Sequence, residues 1–146
     1  MTVQMMTSEC LRTAFLTAIL LTGSVRQAET AVLEGIRSLN IDAASEEEIL
    51  RTSAAAALHA RQRYRRRPGE TAQSSSLVPG ELRRVLQLPS NLRHCFVLRF
   101  LIAMPREFCA QLLGLDASAL DRDTWMAARA LAQIVQKKQA DEQAQR

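Results

Sequence analysis

The stretch from Arg65 to Gly80, RRRPGETAQSSSLVPG, interrupts an otherwise helical pattern and divides the chain in two. It contains two prolines, two glycines and a serine triplet, and the apolar spacing of three and four residues is lost within it. Such a composition reads as a flexible linker, here residues 68–80, between lobes spanning 1–67 and 81–146. The sequence on both sides is rich in alanine and leucine, and aromatic residues make up only 4% of the chain. Ala, Leu, Arg, Gln and Glu lose little rotamer freedom in a helix. The expected fold is therefore all-α: two small helical lobes, the second a helix-turn-helix. Small cores bury a smaller fraction of their surface, so each lobe should gain from a contact outside itself.

In the first lobe a helix is expected from about Ser8 to Thr22, capped by Thr7 or Ser8 and ended by Gly23. Its apolar run, Ala14 to Gly23, resembles the core of a secretion signal. It has no clear cleavage site after it and is too short to span a bilayer, so a buried helix is the better reading. Ser24 and Gln27 make a capping box for a second helix, in which Val25, Ala28, Val32, Ile36 and Leu39 form one face. Ser45 and Glu48 make another, opening a third helix through Ile49, Leu50, Ala54, Ala57 and Leu58.

The second lobe should begin with a short helix from Glu81 to Gln87, followed by helices opened by Pro89 and Pro105. Gly114 ends the latter, and Ser118 caps a long final helix whose core face is Leu120, Thr124, Ala127, Leu131 and Ile134. From Lys137 onward the chain is polar and should fray. Two helices around a glycine turn match a helix-turn-helix. Trp125 has two readings, an exposed anchor for a protein or a ring that closes a small core; the second is the commoner use.

The net charge is +4, and its distribution matters more than its size. Arg61, Arg63, Arg65, Arg66 and Arg67 form a basic cluster suited to phosphate or an acidic protein surface. A solvated helix end with cations near its C-terminal dipole accounts for it equally well. Three cysteines, Cys10, Cys95 and Cys109, lack paired spacing, which points to buried thiols in a reducing, cytoplasmic setting. His94 and Cys95 lack enough companions for a zinc site, so no metal or cofactor is expected. There is no glycine-rich phosphate loop, nucleophile–base pair or carboxylate pair, so neither an enzyme nor a small-molecule substrate is expected.

The second lobe resembles the fourth conserved region of bacterial sigma factors of the extracytoplasmic-function type. The likeness rests on Leu88, Pro89, Arg93, Leu98 and Arg99 in LPSNLRHCFVLRF, on Ala110, Leu113, Gly114 and Leu115 in AQLLGL, and on Ala127, Arg129 and Leu131. The first lobe looks like that family's second conserved region. Ala28, Glu29, Val32, Glu34 and Ile36 match its polymerase-clamp helix, while Leu50, Ala54, Leu58, Arg63 and the basic run match its promoter-melting helix. The resemblance implies a transcription initiation regulator with RNA polymerase core, and in some cases an anti-sigma factor, as partner. Arg61, Arg63, Arg65, Arg66, Arg67, Arg122 and Arg129, with Lys137, would be its DNA contacts.

This chain departs from the family's pattern in the clamp helix and where DNA is read. Thr30 and Leu33 replace an acidic residue and a glutamine, and Ala55, Ala56 and Ala60 stand where Arg, Asn and Asp are usual. Asp121 and Asp123 stand where Lys and Arg are usual, and both are expected to point outward toward the groove. Carboxylates there repel phosphate and forfeit the counterion release that drives binding. The alternative implied is a sigma mimic that binds an anti-sigma factor or polymerase without reading promoters.

Overall fold

A computed structural model describes the backbone of residues 2–40, 45–63 and 77–144, with side chains from residue 8 onward and, in the third helix, as far as His59. Every regular element among the described residues is helical, and the chain divides into two compact units, Met1–Pro79 and Gly80–Arg146. Residues 64–76, most of the expected linker, lie outside the described residues, as do Arg65, Arg66 and Arg67.

The first unit contains α1 (Thr2–Thr22), α2 (Val25–Arg37) and α3 (Glu46–Arg63), each packed against the other two. Helix α1 starts earlier than its sequence suggested, so Thr7 and Ser8 lie inside it and do not cap it. Its apolar run is buried through Ala14, Ala18, Ile19, Leu20 and Leu21. No described helix is long and apolar enough to cross a membrane.

The joint between α1 and α2 follows from residue type. Gly23 takes the left-handed conformation (φ 72°) and its N–H donates to the Ile19 carbonyl at 2.7 Å. The Ser24 hydroxyl then accepts the Gln27 N–H at 3.3 Å and starts α2. The reciprocal half of the box does not form, because the Thr22 hydroxyl accepts the Ser24 N–H at 3.2 Å instead. The Ser45 hydroxyl accepts the Glu48 N–H at 3.2 Å and opens α3, whose acidic first turn suits the helix dipole.

In the second unit a 3₁₀ turn (Arg83–Gln87) replaces the expected short α-helix. It leads to α4 (Ser90–Phe96), which runs into a π-helical turn (Val97–Leu101). Next come α5 (Arg106–Leu113) and α6 (Ala117–Ala144), and α6 packs against α4, α5 and the 3₁₀ turn. Gly114 (φ 67°) ends α5, with the Leu115 N–H donating back to Ala110 at 2.9 Å, and the α5–turn–α6 unit is the expected helix-turn-helix. The cap of α6 is Asp116, whose carboxylate accepts the Ala119 N–H at 2.7 Å; Ser118 lies two residues too late and is exposed inside the helix. Helix α6 continues past Lys137 to Ala144, where Ala, Gln, Lys and Glu all favour helix, so the expected fraying is not seen over those residues.

Small residues let α2 and α3 approach closely. A Cβ placed on Gly35 would lie 3.1 Å from both the Cα and the backbone N of Ser53, atoms that move only if α3 moves. On an open helix face Gly→Ala stabilises by about 1 kcal/mol. Here overpacking outweighs that gain, since extra methyl volume in a tight interior costs about 1–3 kcal/mol. A Gly35→Ala variant should melt below the parent in a thermal scan; a raised melting temperature would show that α2 and α3 are not in contact at that point.

Candidate functional site

Helix α6 arranges the second lobe's surface. Leu120, Asp123 and Ala127 are buried at steps of three and four, and they fix which residues of the helix face away. The outer face consists of Asp121, Arg122, Trp125, Met126 and Arg129, all exposed. Two sequence expectations are corrected here. Asp123 does not point outward: its residue is only 8% exposed, against the side of α4 that carries Cys95. Trp125 does not close the core: it is 63% exposed, and Met126 beside it is 45% exposed.

Each guanidinium of this region already has a partner. Arg106, at the start of α5, holds the Asp121 carboxylate by two hydrogen bonds, one from Nε at 3.0 Å and one from Nη2. The Arg122 Nε lies 3.5 Å from Asp123. The Arg129 guanidinium sits 5.3 Å from the centre of the Trp125 ring, a cation–π arrangement.

The π-helical turn brings a second aromatic residue to the same place. A π turn inserts an extra residue into the helical ladder and re-aims the side chains after it. Phe100 on this turn is 57% exposed, and its ring centroid lies 5.1 Å from that of half-buried Phe96. The chain then passes through Ala103, a non-glycine residue in the left-handed region (φ 49°), before Met104 turns back into the core. The Met104 N–H donates to Leu98 at 2.8 Å, and its carbonyl accepts from Arg99 Nη1 at 2.8 Å and from the Cys109 thiol at 3.6 Å. These bonds hold the strained backbone in place. Between this turn and α6 lies an open groove of about 240 Å³, lined by Arg99, Phe100, Asp121, Thr124 and Trp125.

All three thiols are buried and none forms a disulfide. Burial pushes Cys95 up to about 11, with the negative charge of Asp123 and neighbouring Cys109 adding to the effect. Cys10 is likewise raised, by burial and by Glu46. Thiols in this state are poor nucleophiles and metal ligands, and no metal-binding cluster occurs among the described residues.

In the first lobe, Ala28 and Val32 are buried in the interior and Ile36 is half-buried. Of the five residues matched to the clamp helix, Glu29 and Glu34 are the ones fully presented at the surface, flanking exposed Leu33. Arg61 and Arg63 fall on the last turn of α3, beyond the described side chains. Sequence reasoning missed Arg99, Phe100 and Arg106 as site residues, because the π turn that places Phe100 outside leaves no mark in apolar spacing. No family model, curated protein or solved structure gives a significant match to this chain.

As the chain's single tryptophan, Trp125 reports on this surface. Its fluorescence in the native protein should be quenched by acrylamide nearly as efficiently as in the unfolded chain. A native quenching constant several-fold lower would mean that the ring is buried and that the groove does not exist.

Proposed function

We propose that this chain is a sigma-like, non-enzymatic regulator of transcription initiation that works through protein contacts, its second lobe presenting α6 to a protein and not to promoter DNA. The observation that carries the reading is the outer face of α6, where exposed Trp125 and Met126 stand beside two arginines, Arg106 and Arg122, already engaged by Asp121 and Asp123. A promoter-reading helix needs donors free for phosphates and base edges. Interface cores favour aromatic residues, methionine and arginine, the residue types found here.

In the first lobe, exposed Glu29 and Glu34 on α2 would meet RNA polymerase core or an anti-sigma factor. Arg61, Arg63, Arg65, Arg66 and Arg67 remain the residues through which that lobe could touch nucleic-acid phosphates. The reading needs no cofactor and puts the chain in the cytoplasm, where polymerase is.

The test pairs a capture assay with a DNA titration, both on the full chain. Purified bacterial RNA polymerase core should retain it, and a Glu29→Lys, Glu34→Lys variant should be retained less. Exposed charge changes of this kind alter stability by less than about 0.5 kcal/mol, so lost capture is not lost folding. Duplex DNA should bind no tighter than the non-specific range of about 10⁻⁴ to 10⁻⁶ M at physiological salt. Tight, sequence-selective binding to duplex DNA would restore an ordinary promoter-reading sigma factor. Equal retention of parent and variant would remove Glu29 and Glu34 from the contact.

A further inference from the structure

The groove beside α6 carries enough chemistry to indicate what fills it. Its walls are the Phe100 and Trp125 rings, and large exposed aromatic surface of this kind marks a place where another molecule is bound. Its volume of about 240 Å³ suits one large apolar side chain rather than an extended cofactor. The bonds to Met104 fix the turn bearing Phe100, so the wall is preformed and an occupant need not order it.

The charge at the groove favours one sign. Arg99 lines it, Arg129 stacks on the Trp125 ring, and Arg106 is bonded to Asp121, so three guanidiniums adjoin a single carboxylate. Asp121 is already held by Arg106, which reduces its repulsion of an incoming anion. A guanidinium has five N–H donors in a planar fork, and the Met104 carbonyl takes one of those on Arg99. The remaining donors suit a carboxylate at the groove's edge.

Resting on the reading of α6 as a protein-facing helix, we propose that this groove takes a short acidic, amphipathic segment of a protein partner. One large apolar side chain enters between Phe100 and Trp125, and carboxylates on the flanking turns meet Arg99 and Arg129. A single-stranded nucleic acid could also stack on these rings. It is disfavoured because the groove, at about 240 Å³, has room for one large side chain and not for a run of stacked bases.

Trp125 supplies the readout on the unmodified full chain. The probes are tryptophan-free synthetic helices with leucine at i, i+3 and i+7. One carries glutamate and glutamine on the remaining positions and the other lysine and glutamine; oligo-dT is a third probe. The glutamate peptide should give a saturable blue shift of Trp125 emission and bind at least about tenfold more tightly than the lysine peptide. Phe100→Ser, a change at an exposed position, should weaken it at least about tenfold. Arg129→Glu should narrow or reverse the preference between the peptides.

Equal binding of the two peptides, preference for the lysine peptide, or saturation by oligo-dT alone would overturn the proposal. So would unchanged binding of the glutamate peptide by Phe100→Ser. Polymerase capture separates this inference from the reading on which it rests. Retention on polymerase with no peptide shift sinks the groove's assignment alone, whereas a peptide shift without retention sinks the transcription reading and leaves the groove's chemistry standing.

Discussion

Leu120, Asp123 and Ala127 form the seam that anchors α6 in the second lobe, and the character of that lobe's surface follows from it. Cys95 on α4 meets this seam, close enough that the charge of Asp123 adds to the rise in its pKa. A buried carboxylate at such a point is unusual, because desolvation penalises the charged form. Here Asp123 keeps a partial route to solvent and an arginine, Arg122, at 3.5 Å. The seam is narrow: beyond Ala127 the apolar residues Leu131, Ile134 and Val135 are only half-buried. A 28-residue helix held along so little of its surface leaves its opposite face available for other contacts.

What that face offers is decided by pairing. Nucleic-acid readers keep cations and amides free, since affinity comes from counterion release and specificity from donors aimed at base edges. The second lobe has the cations, but on this face Asp121 and Asp123 engage Arg106 and Arg122. The backbone across the groove is strained in the same neighbourhood. The π turn at Val97–Leu101 and the left-handed Ala103 each depart from the cheapest conformation. A left-handed non-glycine residue costs on the order of 1–2 kcal/mol, and here the departures come with an aromatic ring held in water.

Much of this was legible in the sequence wherever one residue type has one structural use. Gly23 and Gly114 stop helices because they tolerate positive φ, and Ser24 and Ser45 start them because a hydroxyl reaches a free N–H. The two-lobe helical architecture followed from those signals and from the break at Pro68 to Gly80. Asp116 was overlooked as a cap because Ser118 looked equivalent by type, and the better geometry belongs to the earlier residue. The inward turn of Asp123 was available from arithmetic. At about 100° per residue, position 123 lies within about 60° of Leu120 while Trp125 lies about 140° away. Helical phase, not charge, decides which way Asp123 faces. The π turn could not be read at all, since the i→i+5 bond from Ile102 to Val97 that closes it leaves no mark in apolar spacing.

The central claim is that the outer face of α6 is covered by protein and not by duplex DNA. Hydroxyl-radical footprinting with mass spectrometry measures this at the residues concerned, because Trp125 and Met126 are exposed, adjacent and readily oxidised. On the full chain, RNA polymerase core should protect the peptide containing Trp125 and Met126, and duplex DNA at the same concentration should leave its oxidation unchanged. Protection by duplex DNA with none from polymerase core would contradict the account.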